Sequence, residues 1–90
     1  MGIALIKIKI MPTSPETNLE DIKNSSKTII EGNQGQNVSF EEEPIAFGLK
    51  AVIASFSIDE SQELEPIENK LREIENVNSA EISDMRRAFG

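Results

Sequence analysis

The side chains able to do chemistry in this 90-residue chain are carboxylates, amines, guanidinium groups and hydroxyls. Histidine, cysteine, tryptophan and tyrosine are absent. Without cysteine, neither a disulfide framework nor a thiolate zinc site is possible. Without histidine, the usual zinc sites and Ser-His-Asp or Cys-His catalysis drop out. Only oxygen ligands remain for a metal, which would favour magnesium or calcium. The densest acidic run is Glu41, Glu42 and Glu43. A calcium loop spaces its oxygen ligands around turn glycines, and this run has neither feature, so it reads as a solvated edge or turn. Arg86 and Arg87 are the only adjacent basic residues.

Sixteen acidic residues against nine basic ones give a net charge of -7. That balance argues against general electrostatic binding to nucleic acid or to an anionic membrane. No apolar stretch approaches the roughly 18 residues of a transmembrane span. Met1-Gly2-Ile3 reaches Lys7 and Lys9 only after apolar residues, the wrong order for a secretory signal. A cytoplasmic protein is the expectation. One domain over residues 1–90 is expected, since two of about 45 residues each could not bury adequate cores. The charge does not imply disorder, because 38% of residues are hydrophobic and periodically placed.

The elements follow from that periodicity. Ile6, Ile8 and Ile10 alternate with Lys7 and Lys9 in Ile3–Met11, which predicts a strand ended by Pro12. Asn18 caps a helix of about 12 residues with Glu20 and Asp21 in its first turn. Leu19, Ile22, Ser26, Ile29 and Ile30 share one helical face, and Gly32 is the stop. Gln36–Glu42 predicts a short polar strand, and Glu43-Pro44 a turn or an edge. From Ile45 to Ile58 the two parities are both apolar. This predicts one long strand with a bulge between Gly48 and Ile53 that turns both sets toward the core. Leu64, Ile67, Leu71 and Ile74 have amphipathic helical spacing, with Pro66 in the first turn. Val77–Arg87 predicts the last strand.

The order β, α, β, β, α, β predicts a ferredoxin-like α+β sandwich, a four-stranded antiparallel sheet with both helices on one face. In that topology the first and third strands are central. They are the most apolar strands here, whereas the second and fourth are polar enough for edges.

Fold alone says nothing about function, but two strings are distinctive. Pro44-Ile45-Ala46-Phe47-Gly48-Leu49-Lys50-Ala51 and Asp84-Met85-Arg86-Arg87-Ala88-Phe89-Gly90, with the opening strand and Met11-Pro12, resemble the translation elongation factor 1-beta family in its archaeal form. The resemblance spans the whole chain, and the Pro-Ile-x-Phe-Gly core is also similar to the eukaryotic exchange domain. It implies a guanine-nucleotide exchange factor, not an enzyme with bond-making chemistry. The implied partner is the GTPase elongation factor 1-alpha, in its GDP-bound and nucleotide-free states. No cofactor, direct nucleic-acid contact or membrane is implied.

The resemblance places partner contacts at Pro44, Ile45, Phe47, Gly48, Lys50, Arg86, Arg87 and Phe89. Each has a plainer reading. Phe47 is a core phenylalanine on a central strand, or the aromatic of the family's GTPase contact. Gly48 admits a partner backbone, or permits a bulge. Pro44 and Ile45 shape the same turn. Lys50 meets an acidic partner surface, or is solvated. Arg86 and Arg87 contact partner carboxylates through their fork geometry, or protect a sheet edge. Phe89 packs back on the domain, or inserts into the partner. The eukaryotic relatives end in a penultimate lysine near the GTPase magnesium site. Phe89 stands at that end of this chain, so that detail does not transfer.

Three other functions fit the fold less well. An acylphosphatase-like hydrolase needs a glycine-rich loop with an arginine after the first strand, and Met11-Pro12-Thr13-Ser14-Pro15 has neither. An RNA-binding module needs aromatic residues on the central strands with basic charge around them. A small-ligand regulatory module is the runner-up.

Overall fold

The computed structural model describes residues 2–88. Its elements are β1 (Ile3–Pro12), α1 (Leu19–Gly32), β2 (Gln36–Pro44), a 3₁₀ turn (Ala46–Gly48), β3 (Lys50–Asp59), α2 (Glu65–Arg72) and β4 (Val77–Ala88). The strands form one antiparallel sheet in the order β2-β3-β1-β4. This is the ferredoxin-like arrangement expected from the element order, with the two most apolar strands in the middle.

The alternation in β1 decides which face is covered. Ala4, Ile6, Ile8 and Ile10 are buried, while Leu5 and Lys7 on the other face are exposed. β1 and β3 pair without a slip, from Ile3 opposite Asp59 to Ile10 opposite Val52. Val52, Ala54, Phe56 and Ile58 therefore join the β1 isoleucines under the helices. The helices contribute Ile22 and Ile30 from α1 and Ile67 and Leu71 from α2. Asn18 caps α1 as its sequence predicts, its Oδ1 accepting from the Glu20 N–H at 3.0 Å. Pro66 lies in the first turn of α2, where its missing N–H costs no helix bond.

Residues 45–58 do not form one long strand. β2 runs on through Glu43 to Pro44, and the chain then reverses before β3 begins at Lys50. Successive left-handed conformations at Phe47 (φ 60) and Gly48 (φ 79) make the reversal. The Ile45 N–H donates to the Leu49 carbonyl at 2.7 Å, and the Leu49 N–H to the Ala46 carbonyl at 3.2 Å. Nor does a bulge bring both parities of β3 into one core. With its register to β1 unbroken, Ile53 stays opposite Lys9 on the face without helices.

Candidate functional site

The site residues expected from sequence fall into two groups. Pro44, Ile45, Phe47, Gly48 and Lys50 gather at the tip of the β2–β3 hairpin. Arg86 and Arg87 lie in the last part of β4. Arg86 is opposite Leu5 in β1, whereas the hairpin leaves the sheet beyond Ile10, the partner of Val52. Five residues of strand between those levels span about 17 Å, and the tip projects further. The two groups therefore occupy opposite ends of the sheet. Phe89 lies outside the described residues.

Phe47 is 95% exposed, which rules out the core reading for it. A free aromatic ring is unusual enough, and its backbone adds a second oddity. A left-handed φ places Cβ against the following carbonyl and costs a non-glycine residue roughly 1–2 kcal/mol. The fold thus holds a bulky side chain in strain with no packing in return, a combination that clusters at binding sites. Gly48 meets the same backbone demand with the one residue that adopts it freely. A Cβ built on Gly48 would lie 3.8 Å from Cβ of Pro15, an ordinary contact. Conformation rather than space explains this glycine, and its position also sets the β1–α1 loop directly beside the tip.

A cleft of about 200 Å³ opens between loop and hairpin, with Pro12, Ser14, Pro15, Gly48 and Lys50 among its walls. Pro44 and Lys50 pair across the base of the hairpin, and both are exposed. Ile45 is half-buried.

The hairpin is braced from below by an ion-pair network absent from the sequence reading. Lys23 of α1 lies 3.1 Å from Glu20 and 2.8 Å from Glu42 of β2. The hydrogen bond to Glu42 is the chief cause raising the Lys23 pKa, and the same bond holds the Glu42 carboxyl below its ordinary value. Lys50 depresses Glu42 further by its charge. Strand alternation splits the acidic run. Glu42 turns to the helix side, opposite Val52, while Glu41 and Glu43 face the other way, opposite Ile53 and Ala51. Glu43 meets Lys9 at 3.6 Å. Among the described residues no three acidic groups converge so as to hold a metal ion.

A bulge precedes the two arginines in β4. Lys7 is opposite Asp84 and Ile8 is opposite Ile82, so Ser83 is left over. Its hydroxyl donates to the Lys7 carbonyl at 3.3 Å. Parity changes across that residue. Arg86 lies on the open face with Asp84, whose carboxylate accepts from its Nε at 3.0 Å. Arg87 lies on the helix side and reaches Glu60 at 2.9 Å. Alternation alone sends neighbouring arginines to opposite faces, but no periodicity in the sequence marks Ser83 as the extra residue, so which arginine takes which face does not follow from the sequence.

No helix among the described residues is long and apolar enough to cross a membrane. A family model described as the EF-1 guanine nucleotide exchange domain matches residues 5–88. The match takes in the hairpin tip and both arginines. Among relatives, elongation factor 1-beta of Methanocaldococcus jannaschii is 42% identical over 89 residues, covering 98% of this chain and 100% of that protein. Elongation factor 1-beta of Methanosarcina barkeri is 38% identical over 88 residues, covering 97% and 99%. That of Methanococcus maripaludis strain S2 is 37% identical over 86 residues, covering 94% and 97%. An exposed, strained Pro-Ile-Ala-Phe-Gly turn on this sheet is thus set in a chain that aligns almost end to end with these factors, and the chain belongs to the EF-1 guanine nucleotide exchange domain family.

Proposed function

We propose that this chain is a cytoplasmic guanine-nucleotide exchange factor that promotes replacement of GDP by GTP on elongation factor 1-alpha during polypeptide elongation. Family membership supports the activity, and the exposed Phe47 is the observation that supports the site. The task is a binding one. The factor stabilises the nucleotide-free GTPase more than the GDP-bound form. Reciprocity requires that nucleotide weaken its grip in turn. GTP then refills the emptied site. No bond is made or broken by this chain, so neither a general base nor a nucleophile is needed. Direct contact with nucleic acid or membrane has no part in the cycle.

In this reading Phe47 is the anchor. Burying its ring against the GTPase gains roughly 1.5–3 kcal/mol, and the strained turn presents it without further ordering cost. Pro44, Ile45 and Gly48 shape the turn, and Lys50 supplies a cation at its base. Arg86 and Arg87 serve a second contact at the other end of the sheet, so the partner must span both ends. The small-ligand alternative has no observation of its own in its favour.

The test is release of labelled GDP from the cognate GTPase. Micromolar folded protein is expected to accelerate release by orders of magnitude. Unchanged release, with folding confirmed by circular dichroism, would overturn the proposal.

A further inference from the structure

Glu60 joins three chain segments at the end of the sheet opposite the hairpin tip. Its N–H donates to the Gly2 carbonyl at 3.0 Å. Its carboxylate lies across Gly2, where an added Cβ would fall 2.8 Å from Cδ and Oε2 and 3.1 Å from Oε1. Oε2 in turn stands 2.9 Å from Nε of Arg87. The bare Cα of Gly2 is what leaves room for this path.

The pair borders a groove of about 500 Å³ whose floor includes Ala4, Ile6, Ile58 and Leu64. Met85, 56% exposed, lies on its rim. Arg87 is paired through Nε, the nitrogen nearest the chain, so its two Nη nitrogens lie at the far end of the guanidinium plane. That plane matches a carboxylate in two-point fashion. The side chain is 68% exposed, against 34% for Glu60. An exposed arginine held by charge at its inner nitrogen keeps its outer ones for another acid.

We infer that Glu60 is a positioning residue, holding the Arg87 guanidinium along the groove with its Nη nitrogens directed to a carboxylate on the GTPase. The inference rests on the reading of Arg87 as a partner contact. Fixing the arginine beforehand reduces the ordering cost of binding. An exposed ion pair is weak, so the expected gain is only about two- to fivefold in affinity.

The test is the dependence of GDP release on factor concentration for Arg87→Ala, Glu60→Gln, Gly2→Ala and Glu60→Gln/Arg87→Ala. Glu60→Gln is expected to raise the half-saturating concentration about two- to fivefold with the maximal rate and melting temperature unchanged. Gly2→Ala, which displaces the carboxylate but keeps its charge, should do the same. The double variant should be no worse than Arg87→Ala alone. Normal exchange by Arg87→Ala would overturn the reading of Arg87 as a contact, and the role of Glu60 with it. A loss with Arg87→Ala but none with Glu60→Gln, or a Glu60→Gln loss that adds in full to Arg87→Ala, would overturn the positioning role while leaving that reading intact. Tighter binding by Glu60→Gln would also overturn it, since Glu60 would then be restraining Arg87.

Discussion

Arg86 and Arg87 are neighbours in the chain and lie on opposite faces of the sheet, Arg86 opposite Leu5 and Arg87 opposite Ala4. Each has its own carboxylate, Asp84 for one and Glu60 for the other. Two arginines on opposite faces cannot share one partner acid. Their contributions to exchange should therefore add. The logarithmic losses for Arg86→Ala and Arg87→Ala, measured as exchange efficiency, should sum to that of the double variant within about twofold. A double variant no worse than one single would place both side chains on the same partner group.

Phe47→Ala should cost exchange and spare stability. A ring that is 95% exposed has no packing to lose, while the loss of its burial against a partner corresponds to roughly 10- to 100-fold in exchange efficiency. Phe47→Asn is the sharper variant, because asparagine tolerates the left-handed φ of 60 that phenylalanine resists. It should melt at or above the parent temperature and exchange no better than Phe47→Ala. Lower melting temperatures for both would show the ring to be part of the fold.

Gly48→Ala should cost stability. A methyl group fits beside Pro15, but φ of 79 penalises any Cβ by about 1–2 kcal/mol. For a domain of this size that is roughly 4–15 °C in melting temperature. A smaller shift, seen by calorimetry, would mean that the turn relaxes out of the left-handed region.

Much of the fold is legible in residue types, because burial and capping act locally. The alternation of Ile6, Ile8 and Ile10 against Lys7 and Lys9 marks a strand with one covered face. Asn18 marks a helix start, and the polarity of the second and fourth strands marks them as edges. The hairpin was hidden because Ile45, Phe47 and Leu49 read as one face of a strand, and only Gly48 hints at a left-handed turn. Conformation at Phe47 is imposed by closure of the hairpin, a tertiary requirement. The Ser83 bulge is likewise set by pairing with β1, so the faces of the two arginines could not be read from their positions in the chain. Similarity to a family identified the candidate residues. Only the sheet register shows that they fall at two ends.

Ser26→Ala should stabilise the protein. Ser26 faces the core from α1, fully buried, and its hydroxyl has no hydrogen-bond partner. A serine inside a helix commonly donates to the carbonyl four residues back, but here no such bond satisfies it. Removing the hydroxyl relieves a buried polar group and substitutes a better helix former, together worth about 1–2 kcal/mol. The denaturant midpoint should rise with an unchanged slope. A lower midpoint would show that the hydroxyl is satisfied in solution.

The Lys23–Glu42 pair should make stability depend on pH at both extremes. Glu42 has a folded pKa below its ordinary 4.5, chiefly through its hydrogen bond from Lys23. Its contribution is therefore full above that value and is lost as pH falls through the lower folded one. Lys23 has a folded pKa above its ordinary 10.5, chiefly through the same bond. Its contribution is full below 10.5 and is lost as pH rises through the higher folded value. Both windows lie outside neutral pH, so exchange near pH 7 should be insensitive to the titration itself. Lys23→Met removes the lysine itself and the chief causes lowering the Glu42 pKa, leaving the charge of Lys50. Melting temperature should then fall less steeply below pH 4.5 than in the parent, while Glu20→Gln, which leaves the shorter 2.8 Å contact in place, should keep most of the acid dependence. Equal acid slopes for the parent and Lys23→Met would show that Glu42 draws no stability from the pair. The bridge runs from the second turn of α1 to the strand that carries the hairpin. Acid weakening should therefore speed hydrogen exchange first in β2 and the turn after it, ahead of the amides of β1 and β3 in the centre of the sheet.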